Sequence, residues 1–290
     1  MFQGSIVALV TPMQSNGAID YSGLGHLIDW HLQNETDAFV ILGSTGESIC
    51  LTDEERQAVL SFSVERIAGR KPVIAGTGHS STAKAIEYTK LAMQAGADAC
   101  LLAMPAYNRP PQEGLYRHCL SLSEAVPLPI ILYNVPTRTA CDLLPETLAR
   151  LVDRSNIVGI KDATGNLERL SAMQQSCGDK ITYFSGDDPS ALAFMRAGGK
   201  GVISVTSNIA PKLMHLLCEK ALAGDFSGAG EIDAKLAALH VLMCIESNPI
   251  PVKWSLAELG HIEPHVRLPL VPLSEANHEK LRNALKVLAS

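Results

Sequence analysis

The apolar run Ile157-Val158-Gly159-Ile160 ends on Lys161 and passes into the polar stretch Asp162-Ala163-Thr164-Gly165-Asn166. An amine delivered by a buried strand is desolvated, which disfavours its ammonium form. A neutral amine attacks a carbonyl carbon and forms a Schiff base. A lysine so placed can also snorkel to water or pair with Asp162. The residues at the ends of the other apolar runs favour the reactive reading. One run ends in Gly43-Ser44-Thr45-Gly46-Glu47-Ser48, where the glycines admit close backbone approach and turn N–H groups attract a carboxylate. Pro105-Ala106-Tyr107-Asn108 and Tyr133-Asn134-Val135-Pro136-Thr137-Arg138 come after two more, and Ser185-Gly186-Asp187-Asp188 and Ile203-Ser204 end the last two. Carbinolamine and enamine steps need proton transfers, which phenols and hydroxyls hydrogen-bonded in series can relay. Arg138 can hold a substrate carboxylate through two parallel hydrogen bonds.

These groups meet only if the runs end on one rim. Short apolar or β-branched runs recur at 5–10, 38–42, 72–75, 99–103, 129–132, 157–160, 181–184 and 201–205. Helix-period segments lie between them at 21–33, 52–68, 82–95, 112–125, 145–151, 166–175 and 189–197. Thr52-Asp53-Glu54-Glu55 and Asp187-Asp188-Pro189 carry helix-start chemistry. Alternation of strand and helix predicts parallel strands, and runs that are apolar throughout predict burial of both faces. Eight units at a spacing of about 30 residues close a barrel. An open doubly wound sheet calls for a glycine-rich phosphate loop after its first strand, where this chain has Val10-Thr11-Pro12-Met13. The expected fold is therefore α/β, a (β/α)8 TIM barrel over residues 1–224. A small helical domain comes next over 225–290, with helical patterns around Asn248-Pro249-Ile250-Pro251 and from about 275 to 288. In such barrels the active site lies at the C-terminal ends of the strands.

Bulk properties narrow the partners. The chain has 290 residues, 47% hydrophobic, with 24 basic and 30 acidic residues and no long basic run. That balance predicts neither nucleic-acid nor anionic-membrane binding. Seven cysteines without a C-x-x-C pair read as small buried hydrophobes in a reducing cytoplasm, and the N-terminal apolar run is too short for a signal core. Asp187-Asp188 reads as a helix start rather than a metal pair. Gly198-Gly199-Lys200-Gly201 precedes the eighth strand and so belongs to the face opposite the active site. The nine histidines lack a metal-binding spacing, and only His79 falls near the rim. No metal or organic cofactor is expected.

With Gly43-Ser44-Thr45-Gly46-Glu47-Ser48, Tyr133-Asn134-Val135-Pro136-Thr137-Arg138, Lys161-Asp162-Ala163-Thr164-Gly165-Asn166 and Asn248-Pro249-Ile250-Pro251-Val252-Lys253 in order, the whole chain closely resembles the dihydrodipicolinate synthase family. The resemblance implies that Lys161 forms an imine with pyruvate. It makes Tyr133 the proton donor and acceptor, in a relay completed by Ser44 and by Tyr107 of a neighbouring subunit. It implies that Thr45 and backbone groups near Gly186 and Ile203 hold pyruvate, and that Arg138 engages the carboxylate of aspartate 4-semialdehyde. A homotetramer of tight dimers is the implied assembly.

Two departures qualify the likeness. Ser44 stands where many relatives carry threonine, as it does in the N-acetylneuraminate lyase branch of the superfamily; Pro136-Thr137-Arg138-Thr139 argues against that branch. Other pyruvate-dependent aldolases, or a barrel that senses an oxo-acid without turnover, are the alternative readings. Relatives inhibited by lysine carry histidines at Asp53 and Arg56, asparagine at Ser80, glutamate at Lys84 and tyrosine at Ala106, with only Ser48 retained. A cation at Lys84 opposes a lysine effector's own charge, so feedback inhibition is expected to be weak or absent.

Overall fold

The computed structural model describes residues 2–153 and 156–289. Eight parallel strands close into a barrel in chain order, with the eighth pairing back to the first. They are β1 (Gly4–Ala8), β2 (Ala38–Ile41), β3 (Val73–Gly76), β4 (Ala99–Ala103), β5 (Ile130–Asn134), β6 (Ile157–Asp162), β7 (Thr182–Ser185) and β8 (Gly201–Ser204). Each overlaps one of the eight predicted runs. Around them lie α1 (Tyr21–Gln33), α2 (Asp53–Ile67), α3 (Thr82–Gln94), α4 (Gln112–Ala125), the single turn α5 (Pro136–Thr139), α6 (Pro145–Ala149), α7 (Leu167–Cys177), α8 (Ala191–Arg196) and α9 (Pro211–Leu222). Three further helices complete the chain: α10 (Phe226–Leu242), α11 (Ile250–Glu258) and α12 (Glu275–Leu285). The TIM barrel with C-terminal helices is thus observed.

The strands are apolar on both faces because both faces are buried. Ile6, Ala8, Val40, Ile74, Leu101, Ile131, Phe184 and Ile203 fill the barrel interior as one cluster. Their neighbours Val7, Phe39, Ile41, Leu102, Leu132 and Ile160 belong to a second cluster, packed under the helices. That second cluster also takes in Leu239, Val252, Leu256 and Leu281 of the C-terminal helices. Alternation along each strand assigns one residue to each layer.

Local signals are realised at both predicted helix starts. The Thr52 hydroxyl accepts from the Glu55 N–H at 3.2 Å, and the Glu55 carboxylate accepts from the Thr52 N–H at 3.0 Å, a complete capping box. Asp187 caps a short 3-10 turn, its carboxylate accepting from the Ser190 N–H at 3.2 Å. Gly201 meets Gly4 at the opposite face, where an added Cβ would lie 2.2 Å from the Gly4 carbonyl oxygen. The glycine there serves close strand approach.

Candidate active site

Lys161 lies inside β6 rather than beyond it, because the ladder continues past Ile160 to Asp162. The strand register sets it beside Tyr133 of β5 on one side and Phe184 of β7 on the other. All three face the barrel interior in one layer. Lys161 is 6% exposed, and its Nζ sits 4.2 Å from the centre of the Tyr133 ring. Burial lowers its pKa from 10.5 to about 8; Asp188 opposes this shift and Arg138 adds to it. Burial pushes the Tyr133 phenol up to about 12, against smaller pulls from Arg138 and from a hydrogen bond with Ser44. The barrel mouth therefore holds a basic amine next to a phenol that keeps its proton.

Gly186, in the loop after β7, makes room for that amine. A Cβ there would meet Lys161 Cε at 2.7 Å and Ala163 Cβ at 2.8 Å. Ile203 of β8 closes the interior nearby, buried at 1%. Asp162, one residue on from Lys161, points to the other side of the sheet. It accepts from Arg169 Nε at 2.8 Å and from Asn134 Nδ2 at 3.2 Å, and it also holds the Thr164 hydroxyl. Arg169 reaches Asp142 as well, at 3.0 Å. Lys161 therefore does not pair with Asp162, and the network behind β5 and β6 secures the ends that carry Tyr133 and Lys161.

The remaining sequence-predicted groups stand on rim loops. Thr45 is buried, and its hydroxyl accepts from Asn248 Nδ2 at 2.9 Å. Ser44 is exposed beside it. Arg138 is exposed on α5 and donates to the Asn248 carbonyl at 3.2 Å. Tyr107, after β4, is 96% exposed with a left-handed φ of 71°. His79 accepts from the Ser81 N–H at 2.9 Å and edges the Tyr88 ring, apart from this group.

Sequence reasoning passed over three contributors. Asp188, read with Asp187 as a helix start, is buried and accepts from the Val205 and Thr206 N–H groups at 2.9 Å, tying the β7 loop to the end of β8. Its charge also raises the basicity of Lys161. Asn248 bridges Thr45 and Arg138 from the C-terminal segment. Lys253, inside the apolar face of α11, is fully buried against Glu47. A lysine within Ile250-Pro251-Val252-Lys253-Trp254 was the available signal.

A second set of positions converges outside the barrel mouth. Lys84 Nζ contacts Asp53 at 2.6 Å and Glu87 at 2.8 Å. The Arg56 guanidinium donates to the carbonyls of Ser48 and Gly76 and lies 4.1 Å over the Tyr88 ring. Ser80 donates to the Ala106 carbonyl at 2.8 Å.

Comparison with known proteins agrees with this geometry. The model of the Dihydrodipicolinate synthetase family matches residues 1–288. A 4-hydroxy-tetrahydrodipicolinate synthase of Nitrosococcus oceani is 55% identical over 286 residues, spanning 99% of this chain and 98% of its own. The chloride-inhibited dihydrodipicolinate synthase of Acinetobacter baumannii, solved in complex with pyruvate, superposes with a TM-score of 0.98 at 49% identity, covering 100% of this chain and 99% of that one. The dihydrodipicolinate synthase of Aquifex aeolicus gives a TM-score of 0.97 at 45% identity, over 99% and 98% of the two chains. A barrel whose interior amine, adjacent phenol and rim loops share one fold and nearly full-length sequence agreement with these enzymes belongs to the dihydrodipicolinate synthetase family.

Proposed function

We propose that this chain condenses pyruvate with L-aspartate 4-semialdehyde to give 4-hydroxy-tetrahydrodipicolinate, in the diaminopimelate route of lysine biosynthesis. The observation that carries the reading is the buried Lys161 amine, in register with Tyr133 and with a pKa near 8. Its lone pair attacks C2 of pyruvate, and water leaves as the imine forms. Loss of a C3 proton gives the enamine, whose carbon attacks the aldehyde carbon of the semialdehyde. The aldehyde oxygen takes a proton as that bond forms. The semialdehyde's own amine then adds to C2 and expels Lys161, which regenerates the enzyme.

In this reading Tyr133 gives and takes the protons, passing them through Ser44 and through Tyr107 of a neighbouring subunit. The pull of Ser44 on the Tyr133 phenol, which lowers its pKa against the effect of burial, supports the first link. Thr45, Gly186 and the backbone near Ile203 hold pyruvate beside the amine. Arg138, kept at the rim by the Asn248 carbonyl, meets the semialdehyde carboxylate. A homotetramer of tight dimers in the cytoplasm completes the reading. Tyr107, 96% exposed on its own chain, is free to reach a neighbouring subunit's site in that assembly. Among the described residues no helix is long and apolar enough to cross a membrane.

Borohydride reduction in saturating pyruvate tests the chemistry. Mass spectrometry should find one reduced pyruvate adduct, on Lys161, and none on a folded Lys161→Ala variant. An unmodified wild-type chain would end the reading. Arg138→Ala should depress turnover far more with the semialdehyde than with a carboxylate-free aldehyde.

A further inference from the structure

The loop 43–47 lies just after β2 and carries Ser44 and Thr45, yet its own bonds are few: Gly46 N–H to Gly43 O at 3.1 Å and Glu47 N–H to Ser44 O at 3.2 Å. The Thr11 hydroxyl donates to the Gly46 carbonyl at 2.8 Å, and further groups that hold the loop come from far along the chain. Glu47 is 2% exposed, and both carboxylate oxygens are engaged by the C-terminal segment. One forms an ion pair with Lys253 of α11, and the other accepts from the Arg267 N–H at 3.0 Å. Lys253 also donates to the His265 carbonyl at 2.8 Å, and both side chains of the pair are fully buried. The Arg267 guanidinium continues the clamp to Glu55 at 2.5 Å and to the carbonyls of Cys50 and Gly17 at 2.9 and 2.6 Å. On the same α11 side, Asn248 holds Thr45.

Two features of Glu47 oppose stability. Its φ of 52° lies in the left-handed region, where glycine is favoured. Its buried ion pair is an arrangement that apolar residues of equal volume usually match or better. Both unfavourable choices fall on the residue closing the loop that carries Ser44 and Thr45. Strained backbone persists where the surroundings over-determine it, and such sites cluster where geometry serves function.

We infer that Glu47 and Lys253 are positioning residues for the reaction: their buried pair clamps the 43–47 loop to α11 and thereby sets Ser44 and Thr45 against Tyr133 and the bound keto acid. This rests on the proposed function. The C-terminal helices are on this view part of the active site's frame, with Lys253 acting through Glu47 on the two hydroxyls.

Two variants test it. Glu47→Asp keeps the charge but withdraws the carboxylate by one methylene. Glu47→Gln with Lys253→Met removes both charges and leaves an acceptor for the Arg267 N–H. Kinetic constants are taken per folded molecule, with folding followed by circular dichroism, and hydride trapping with pyruvate is run alongside. In both variants kcat/KM for pyruvate should fall about tenfold or more, chiefly through KM, because displaced Thr45 holds the carboxylate poorly. Saturating pyruvate should still label Lys161. A purely structural pair would lower the melting temperature and leave these constants alone. A fall of less than roughly threefold in the folded variants overturns the inference. Failure of both variants to fold also overturns it, since the pair then serves the fold itself. A wild-type chain without an adduct removes the proposed function and this inference together, whereas a labelled wild type with unchanged variants removes the inference alone.

Discussion

Lys161 spends its folded life against its own charge. Its pKa is about 8 in the fold and 10.5 ordinarily, so between those pH values the folded chain binds fewer protons than the unfolded one. Stability contributed by this site therefore rises with pH across that window, and the full penalty applies below pH 8. The shift corresponds to about 3 kcal/mol, an order-of-magnitude figure. Lys161→Met should be inactive yet more stable than wild type at pH 7, by on the order of 1–3 kcal/mol, with the gain shrinking toward pH 10. Urea denaturation at the two pH values checks this; a Met variant less stable at pH 7 would contradict it. The same pKa predicts that kcat/KM for pyruvate climbs through about pH 8 as the neutral amine accumulates. Gly186→Ala addresses the other side of that amine. Its methyl would lie 2.7 Å from Lys161 Cε, so the lysine stem must shift. Displacements of this size cost about 100-fold in rate, and hydride trapping should slow accordingly. Labelling at wild-type rate would show that Gly186 leaves the amine free to move.

At the scale of elements, the β5–β6 pair does the positioning. Its register puts Tyr133 beside Lys161 on the inner face and Asn134 beside Asp162 on the outer face. The outer residues are fixed by Arg169 of α7, which is itself largely buried. Removing Arg169 leaves Asp162, 4% exposed, without its guanidinium partner. Arg169→Leu should therefore lose about 3 kcal/mol of stability, as measured by chemical denaturation, because an uncompensated buried charge remains. A loss within about 0.5 kcal/mol, the range of surface substitutions, would mean that Asn134 and Thr164 suffice to hold the carboxylate.

For the whole molecule, closure of the barrel brings distant loops to one rim, and the helices after α9 add the wall that holds Thr45 and Glu47. We propose the boundary between the two parts near Gly224, just after α9. The fold also gathers Ser48, Asp53, Arg56, Ser80, Lys84 and Ala106 outside the mouth. The Lys84 ammonium already occupies Asp53 and Glu87, which raise its pKa, and the Arg56 guanidinium fills the face of Tyr88. A free lysine arriving there meets two resident cations and no unengaged carboxylate among those named. Steady-state turnover should accordingly be unchanged by lysine at submillimolar concentrations, and inhibition in that range would refute the expectation.

Much of this was legible in the chain. The eight apolar runs announced a closed parallel barrel because strands buried on both faces carry no polar alternation, and the capping signals at Thr52 and Asp187 act within a few residues of themselves. The burial of Lys161 was legible for the same local reason: the apolar run Ile157-Val158-Gly159-Ile160 carries it into the barrel wall. Its neighbourhood was not. Whether Lys161 faced Tyr133 or Asp162 depended on register and on which strand face turned inward, which is settled by pairing between strands and by Arg169 from a helix. Asp188 does stand in a helix start, but its second role, accepting from the N–H groups just after β8, needs a segment 17 and 18 positions away. Glu47 and Lys253 lie 206 positions apart, so no window of sequence contains their pair. The sequence by itself determined which residues could form strands, start helices and supply an amine, because those properties come from local sterics, solvation and bond chemistry. Only the tertiary structure decided which of those residues meet, because contact between distant segments depends on how the barrel closes and where the C-terminal helices pack.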